Sequence, residues 1–495
     1  MGLSLTRSSG GIAVSPKLEL RKTKLVATIG PACDAIETIE AMLEAGMNVA
    51  RLNLSHGTLE EHKERLQRIR KAAENVDTNV AIMIDTRGVE IRTGKLKKPS
   101  VELLPDTEFS LYTDGRTGDW NGASVSYQHL NQEVNPGDPI LLDDGAIELV
   151  VLSTAEREIR CRVVHGGVLR ESKSVNLPNT ELAMSDLSNE FRERSKIEMV
   201  FAAENDVDYI AASFIQNADD VNSMREMLNE QGVRIPIIAK IENKAGVDHL
   251  DAIVAAADGV MVARGDLGVE LPLADVPGAQ KRIIHKTVMN GRPVITATQM
   301  LASMEHNPKP TRAEASDVAN AILDGTSAVM LSGETAAGEY PVEAVRTMAR
   351  LALRAEESLR EFGYLQKILP HPSNVVTEAV SQSAVRMAEQ LNAAAIFSLT
   401  STGFTSRLIS KHRPDCPILA ITGSCEVVRR LCMNWGVIPL LYEGGGDDEA
   451  RIAFAIECAK ERGFVQPGDV VIATAGYRQQ AGGTDLIRVI TLGVE

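Results

Sequence analysis

Pro236 to Gly268 read PIIAKIENKAGVDHLDAIVAAADGVMVARGDLG: an apolar run, a helical pattern, and a second apolar run ending in Arg264-Gly265-Asp266. The first run, Ile237–Ile241, reads as a strand whose end carries Lys240 and Glu242. Residues two apart on a strand point the same way, so this cation and this carboxylate share a face. Val247, Leu250, Ile253 and Val254 give the helical pattern, and Val260–Ala263 the second strand. Parallel neighbours lie roughly 5 Å apart, which would set Glu242 beside Asp266 at the carboxyl ends. Two carboxylates beside a lysine suit a hard divalent cation and a phosphate held together. The plainer alternative is a surface Lys–Glu pair with an unrelated loop Asp.

Outward from this stretch the same rhythm repeats. Apolar strands are expected at Lys24–Ile29, Asn48–Leu52, Val80–Ile84, Tyr209–Ala212, Pro293–Ala297 and Ala328–Leu331 as well, with helical patterns between them. Near-continuous apolar runs suit a parallel sheet covered on both sides. Eight βα units predict a (β/α)₈ TIM barrel, with its site at the carboxyl ends of the strands. The rhythm breaks after the third strand. There, five short strands (Val101–Leu104, Phe109–Tyr112, Ile140–Leu142, Ile147–Leu152, Glu158–Val164) with turns at Pro136-Gly137-Asp138 and Asp143-Asp144-Gly145 predict an inserted small β-barrel lid domain. After about Arg354, the helical pattern Val375–Leu391 precedes strands at Ala395–Leu399, Ile418–Ile421, Val437–Tyr442, Val470–Thr474 and Ile487–Leu492. They predict a C-terminal doubly wound α/β domain. The expected division is a flexible leader 1–20, a first barrel segment 21–88, a lid 89–178, a second barrel segment 179–356 and a terminal domain 357–495.

The 495 residues carry a formal charge of −15, which argues against non-specific nucleic-acid binding. A local basic cleft for an anionic metabolite remains compatible with it. The six cysteines show no metal-ligand spacing and read as reduced, mostly buried thiols of a cytoplasmic protein. No run approaches membrane-spanning length and no signal peptide is legible, so no membrane partner is expected.

Polar residues gather at the strand ends. Arg51, Asn53 and Ser55 are spaced two apart, and project together if the chain stays extended; His56 and Gly57 follow. Asp85-Thr86 comes with Glu90 and Arg92; Lys240, Glu242, Gly265 and Asp266 form the third group; Thr298 is the fourth. Arg51, Arg92 and Lys240 supply charge for phosphoryl oxygens. Glu242 and Asp266 offer oxygens for Mg²⁺ or Mn²⁺, while Asn53, Ser55, Asp85 and Thr86 bring mostly neutral oxygens around one carboxylate, as a monovalent cation prefers. No Walker-type GxxxxGK is present, so side chains and metal must bind the phosphates. Phosphoryl transfer catalysed by positioning and electrostatics fits this inventory.

The motifs RLNLSHG (51–57), DTRGVEIRTG (85–94), AKIENKAG (239–246), MVARGDLGVEL (261–271), TATQML (296–301), PTRAEASDVANAILDG (310–325) and SAVMLSGETAAGEYPVEAV (327–345) occur in this order. In them the chain resembles the pyruvate kinase family, bacterial type, from about Lys22 to its end. The resemblance implies an enzyme that takes phosphoenolpyruvate and ADP to pyruvate and ATP. Arg51 would bind the substrate phosphate, and Lys240 would neutralise the phosphoryl group and the enolate. Glu242 and Asp266 would hold Mg²⁺. Gly265, Asp266 and Thr298 would orient the substrate, with Thr298 near the path of the proton. Asn53, Ser55, Asp85 and Thr86 would hold K⁺, the Glu at position 90 marking a K⁺-dependent member. Asn53, His56, Arg92 and Lys173 would face the nucleotide and its second Mg²⁺. A homotetramer is also implied.

The sequence departs from the family pattern at Arg87-Gly88-Val89-Glu90, which lacks the hinge proline, at Ser174 and Asn179 where glycines are usual, and between Glu181 and Lys196. These positions bear on lid closure and nucleotide preference. In the terminal domain Thr400-Ser401-Thr402-Gly403-Phe404-Thr405, between a strand and a helix, offers hydroxyls and N–H groups for a phosphorylated effector, or else a plain helix cap. With no lysine in the loop as a second clamp, a sugar monophosphate or nucleotide monophosphate is favoured over a bisphosphate. A catalytically silent, metabolite-sensing relative would be expected to lack a charge at Arg51, Lys240, Glu242 or Asp266, and all four are present. A dikinase or carboxylase on a similar barrel would lack both the lid and the terminal domain.

Overall fold

A computed structural model describes residues 21–88, 91–178, 180, 189–363, 375–445, 447–476 and 482–493. The expected leader 1–20, Val89, Glu90, Asn179 and residues 181–188 lie outside them. Eight strands, β1 (Lys24–Thr28), β2 (Val49–Asn53), β3 (Ala81–Asp85), β4 (Tyr209–Ala212), β5 (Ile237–Ile241), β6 (Gly259–Ala263), β7 (Val294–Ala297) and β8 (Ala328–Leu331), match the expected runs to within a residue at each end. They close in the order β1-β8-β7-β6-β5-β4-β3-β2, and the pairings run parallel, for example Val26 opposite Val49 and Lys240 opposite Met261. Burial on both faces explains the unbroken apolar runs: every residue of β1, β3, β5 and β6 is buried.

The chain divides into two compact units, Met1–Ile84 with Asn205–Tyr209 and Ile284–Glu495, and Asp85–Glu204 with Ile210–Ile283. The second unit contains the inserted β region. Its main sheet has six strands, and a two-stranded sheet pairs Ser100–Leu103 with Gly167–Arg170. Phe109, Leu111, Ile140, Leu149, Ile159 and Val163 give it a core of its own. Gly122–Ser124, Gly167–Arg170 and Val175–Asn176 were not expected as strands; each is four residues or shorter, too brief for alternation to register. The helical pattern at 247–254 proves to be two short helices, Lys244–Asp248 and Leu250–Ala256, meeting at His249.

In the first unit the terminal sheet runs Val437–Leu441, Ile418–Thr422, Ala395–Leu399, Val470–Ala475, Leu486–Thr491. Four strands are parallel, as a doubly wound sheet requires, but the last pairs antiparallel with its neighbour. Its mixed burial, with Leu486 and Val489 exposed, marks it as an edge rather than a covered strand. All six cysteines are free thiols; Cys33, Cys161 and Cys432 are buried, Cys416 and Cys458 partly so, and Cys425 is exposed, fewer buried than composition led one to expect. Among the described residues no helix is long and apolar enough to cross a membrane.

Candidate active site

In the second unit, the alternation of β5 sets Lys240 and Glu242 on one face, and their charged atoms lie 2.8 Å apart. The same ammonium donates to Asp85 Oδ1 at 2.9 Å and to Ser213 Oγ at 2.7 Å. Asp85 and Glu242 side chains are only 1% exposed, so these charges interact with little screening. Phe214, forced into a left-handed φ of +56°, donates its N–H to the other Glu242 oxygen at 2.5 Å. Ser213 Oγ also donates to Thr86 O at 2.8 Å, so the residues just after β3 and β4 are laced together beneath the lysine.

Asp266 sits in the first turn of the helix Arg264–Glu270, which begins directly at the end of β6. Burial pushes the Glu242 carboxyl up to about 7; the Asp266 and Asp85 charges push the same way and Lys240 pulls it down. Asp266 is likewise raised by burial, with Lys240 opposing and Asp85 and Asp144 adding to the rise. Two buried carboxylates, Asp85 and Glu242, and the half-buried Asp266 thus surround one ammonium, a surplus of negative charge suited to a further cation. Among the described residues no group of three or more His, Cys, Asp or Glu gathers in metal-binding geometry. A divalent ion would therefore rest on the Glu242–Asp266 pair, with its remaining ligands from outside the chain.

In the first unit, Arg51 on β2 is buried and its Nη1 donates to Thr28 Oγ1 at 2.9 Å; Thr28 in turn donates to Leu331 O at 2.9 Å. Sequence reasoning passed over Thr28, although a threonine ending the apolar run KLVAT was the available signal. β2 ends at Asn53, so Asn53 and Ser55 do not continue an extended chain: Ser55 is exposed in a turn and its N–H donates to Asn53 Oδ1 at 3.2 Å. His56, also exposed, closes that turn with its N–H on Asn53 O. Thr298 and Gln299 after β7 hold φ values of +66° and +52°. For a β-branched residue that is strain the surroundings must impose, of a kind that concentrates at functional sites. Thr298 Oγ1 donates to Ala297 O at 2.7 Å.

Arg92 and Lys173 are neighbours in the inserted region: Thr93 N–H donates to Lys173 O, and Arg92 Nη1 to Ser172 O at 2.9 Å. Lys173 pairs with Asp143 at 2.8 Å. Ser174, where a glycine is usual, donates to Asp144 Oδ1 at 2.6 Å and accepts the Asp144 N–H, pinning a turn whose Asp143 and Asp144 both have positive φ.

In the terminal domain, Thr400, Ser401, Thr402 and Thr405 line a cavity of about 310 Å³. Gly403 is not in its wall; it caps the helix Phe404–Lys411 with φ +77° and gives its N–H to Thr400 Oγ1. No side-chain cap is made there, so the loop is not a plain Ser/Thr helix cap. Arg451, from a helix that follows the sheet's third strand in sequence, also lines the cavity and supplies a cation that the loop itself lacks.

Comparison with known proteins bears on this geometry. Residues 20–345 match the family model for the pyruvate kinase barrel domain and residues 378–490 that for the pyruvate kinase alpha/beta domain. The chain is 45% identical to the pyruvate kinase of Bacillus licheniformis over 96% of its own length and 81% of that protein's. It is 42% identical to that of Clostridium acetobutylicum over 94% and 98% of the two chains. A crystal structure of a pyruvate kinase from Cryptosporidium parvum superposes with a TM-score of 0.88 at 38% identity, covering 96% of this chain and 97% of that one. The chain belongs to the pyruvate kinase family.

Proposed function

We infer that the Lys240 centre carries the pyruvate kinase reaction, the transfer of the phosphoryl group of phosphoenolpyruvate to ADP to give pyruvate and ATP. The observation that carries this reading is the buried ammonium of Lys240 held at 2.8 Å by Glu242 and 2.9 Å by Asp85. A fixed positive charge in a poorly hydrated site stabilises charge that develops on phosphoryl oxygens and then on the departing enolate. Arg51 takes the substrate phosphate, its guanidinium aimed by Thr28. The N–H groups of Gly265 and Asp266 and the hydroxyl of Thr298 orient the substrate, and Thr298 stands near the proton path to pyruvate. Glu242 and Asp266 fit Mg²⁺ or Mn²⁺, because the acid pair is short of positive charge. A divalent ion bound there supplies charge neutralisation to the substrate's carboxylate and phosphoryl oxygens.

Asn53, Ser55, Asp85 and Thr86 are assigned to K⁺, and Asn53, His56, Arg92 and Lys173 to the nucleotide with a second Mg²⁺. The division into leader 1–20, barrel 21–88 and 179–356, lid 89–178 and effector domain 357–495 goes with this reading, as do a homotetrameric assembly and a place in cytoplasmic glycolysis. The cavity at Thr400–Thr405, with Arg451 in its wall, supports a single phosphate from a sugar or nucleotide monophosphate. Pyruvate formation coupled to lactate dehydrogenase tests the reaction, with Mg²⁺ and either K⁺ or Na⁺ present. Turnover is expected to collapse in Na⁺; undiminished turnover would remove the K⁺ assignment. Activation by sugar or nucleotide monophosphates is expected in the same assay, and a flat response to all of them would remove the effector assignment.

A further inference from the structure

Glu242 owes its orientation to a residue outside the metal pair. One of its oxygens faces the Lys240 ammonium at 2.8 Å, and the other takes the N–H of Phe214 at 2.5 Å. A carboxylate held at both oxygens does not turn freely about its last bond, so Phe214 fixes the direction in which Glu242 offers its remaining lone pairs. The φ of +56° at Phe214 is a conformation that a bulky residue keeps only when its surroundings impose it. Gly88 supplies part of that constraint. A β-carbon at position 88 would stand 2.0 Å from Cδ2 and 2.6 Å from Cε2 of Phe214, and 3.0 Å from Cβ of Ser213. The aromatic ring therefore lies directly on the glycine backbone.

Both sides of this contact are tied down, and all of it lies within the second unit. Gly88 O accepts from Arg194 Nη2 at 3.0 Å, and the N–H of Arg87 donates to Glu198 at 3.4 Å. Ser213 is bonded to Asp85 and Thr86, while Ile215 O comes so near Gly246 that a β-carbon there would be 2.7 Å from it. We propose that Phe214 is the positioning residue of the divalent-metal site, and that the missing side chain of Gly88 sets the affinity of that site by seating the Phe214 ring. The proposal rests on the assignment of Glu242 and Asp266 as the metal pair. A side chain at position 88 would drive the ring off its seat and carry the Phe214 N–H away from Glu242. The carboxylate would then lose its fixed direction, and loss of such an orienting donor commonly weakens metal binding by about 10- to 100-fold.

Mn²⁺ binding to the full chain, in K⁺ and without substrates, is titrated through the electron paramagnetic resonance signal of the free ion. The unaltered chain is expected to show a Mn²⁺ site that is lost in Glu242→Gln. A site that is missing from the unaltered chain, or that survives Glu242→Gln, removes the metal-pair assignment and the proposal with it. With that assignment secured, Gly88→Ala is expected to raise the Kd for Mn²⁺ about tenfold. Phe214→Ala removes the ring without crowding the glycine, and is expected to weaken Mn²⁺ as well, which keeps the test open if Gly88→Ala does not fold. In the Phe214→Ala background Gly88→Ala is expected to add nothing, because the ring atoms it would strike are gone. An unchanged Kd in either single variant overturns the proposal, as does a full further loss in the double variant.

Discussion

Lys240 takes its geometry from residues that are distant in sequence. Glu242 was legible beside it because the two-residue period of a strand is a local property. Ser213, 27 residues away, and Asp85, 155 residues away, reach it only because β3, β4 and β5 lie side by side in the sheet, a pairing that no local pattern encodes. Thr28 was visible as a threonine ending an apolar run, but its bond to Arg51, 23 residues on, depends on the pairing of β1 with β2, which that run does not show. Ser213 is therefore a positioning residue: its hydroxyl accepts from Lys240 while its own proton goes to Thr86 O or Asp85. Ser213→Ala is expected to lower kcat by roughly tenfold with little change in the KM for phosphoenolpyruvate, as loss of an orienting partner commonly does. Steady-state kinetics check this, and a change confined to KM would assign the serine to substrate binding instead.

At the scale of elements, barrel strands were legible because burial on both faces leaves long apolar runs, whereas the short strands of the inserted region carry no such signal. Nor could the sequence show that Ser174 locks the Asp143–Asp144 turn, since two positive-φ aspartates do not announce themselves. The helix Asn189–Glu204 carries a further group hidden from pattern reading. Glu198 is 3% exposed, and burial pushes its carboxyl up to about 7, with the Arg87 N–H and the Arg194 and Arg87 charges opposing and Asp85 adding to the rise. In the unfolded chain the group titrates at about 4.3. Between those values the folded state holds a proton that the unfolded state has lost, so stability contributed by this group falls as pH rises toward 7. Glu198→Gln is expected to flatten that decline, so that the variant gains on the parent from pH ~4.5 to ~7. Denaturant midpoints across the window check it; parallel curves would place the Glu198 pKa near its ordinary value.

At the scale of the molecule, the terminal sheet is fastened to the amino-terminal side of the barrel within the first unit. Asp208, fully buried, accepts from Arg70 at 2.8 Å, from Ile82 N at 2.8 Å and from Arg429 Nε at 2.7 Å; Arg429 also reaches Asp206. Arg429→Ala removes one charged donor from a buried carboxylate that keeps two others, and is expected to cost about 2 kcal/mol of stability. Chemical denaturation measures it, and no loss would mean that the clamp carries little. The joint was invisible beforehand because Arg429 and Asp208 stand 221 residues apart on domains that the sequence presents as separate. The reading of function rests on Lys240 as the charge that phosphoryl transfer requires. Lys240→Met keeps a long apolar stem, and proton uptake by the acids around it can offset the lost charge, so the fold is expected to survive. The most direct measurement compares the initial rate of pyruvate formation from phosphoenolpyruvate and ADP, with Mg²⁺ and K⁺, in the unaltered chain and in Lys240→Met of matching circular dichroism. Rapid turnover in the first and a loss of at least ~10³-fold in kcat in the second is the predicted result; a folded Lys240→Met with near-normal turnover would contradict it.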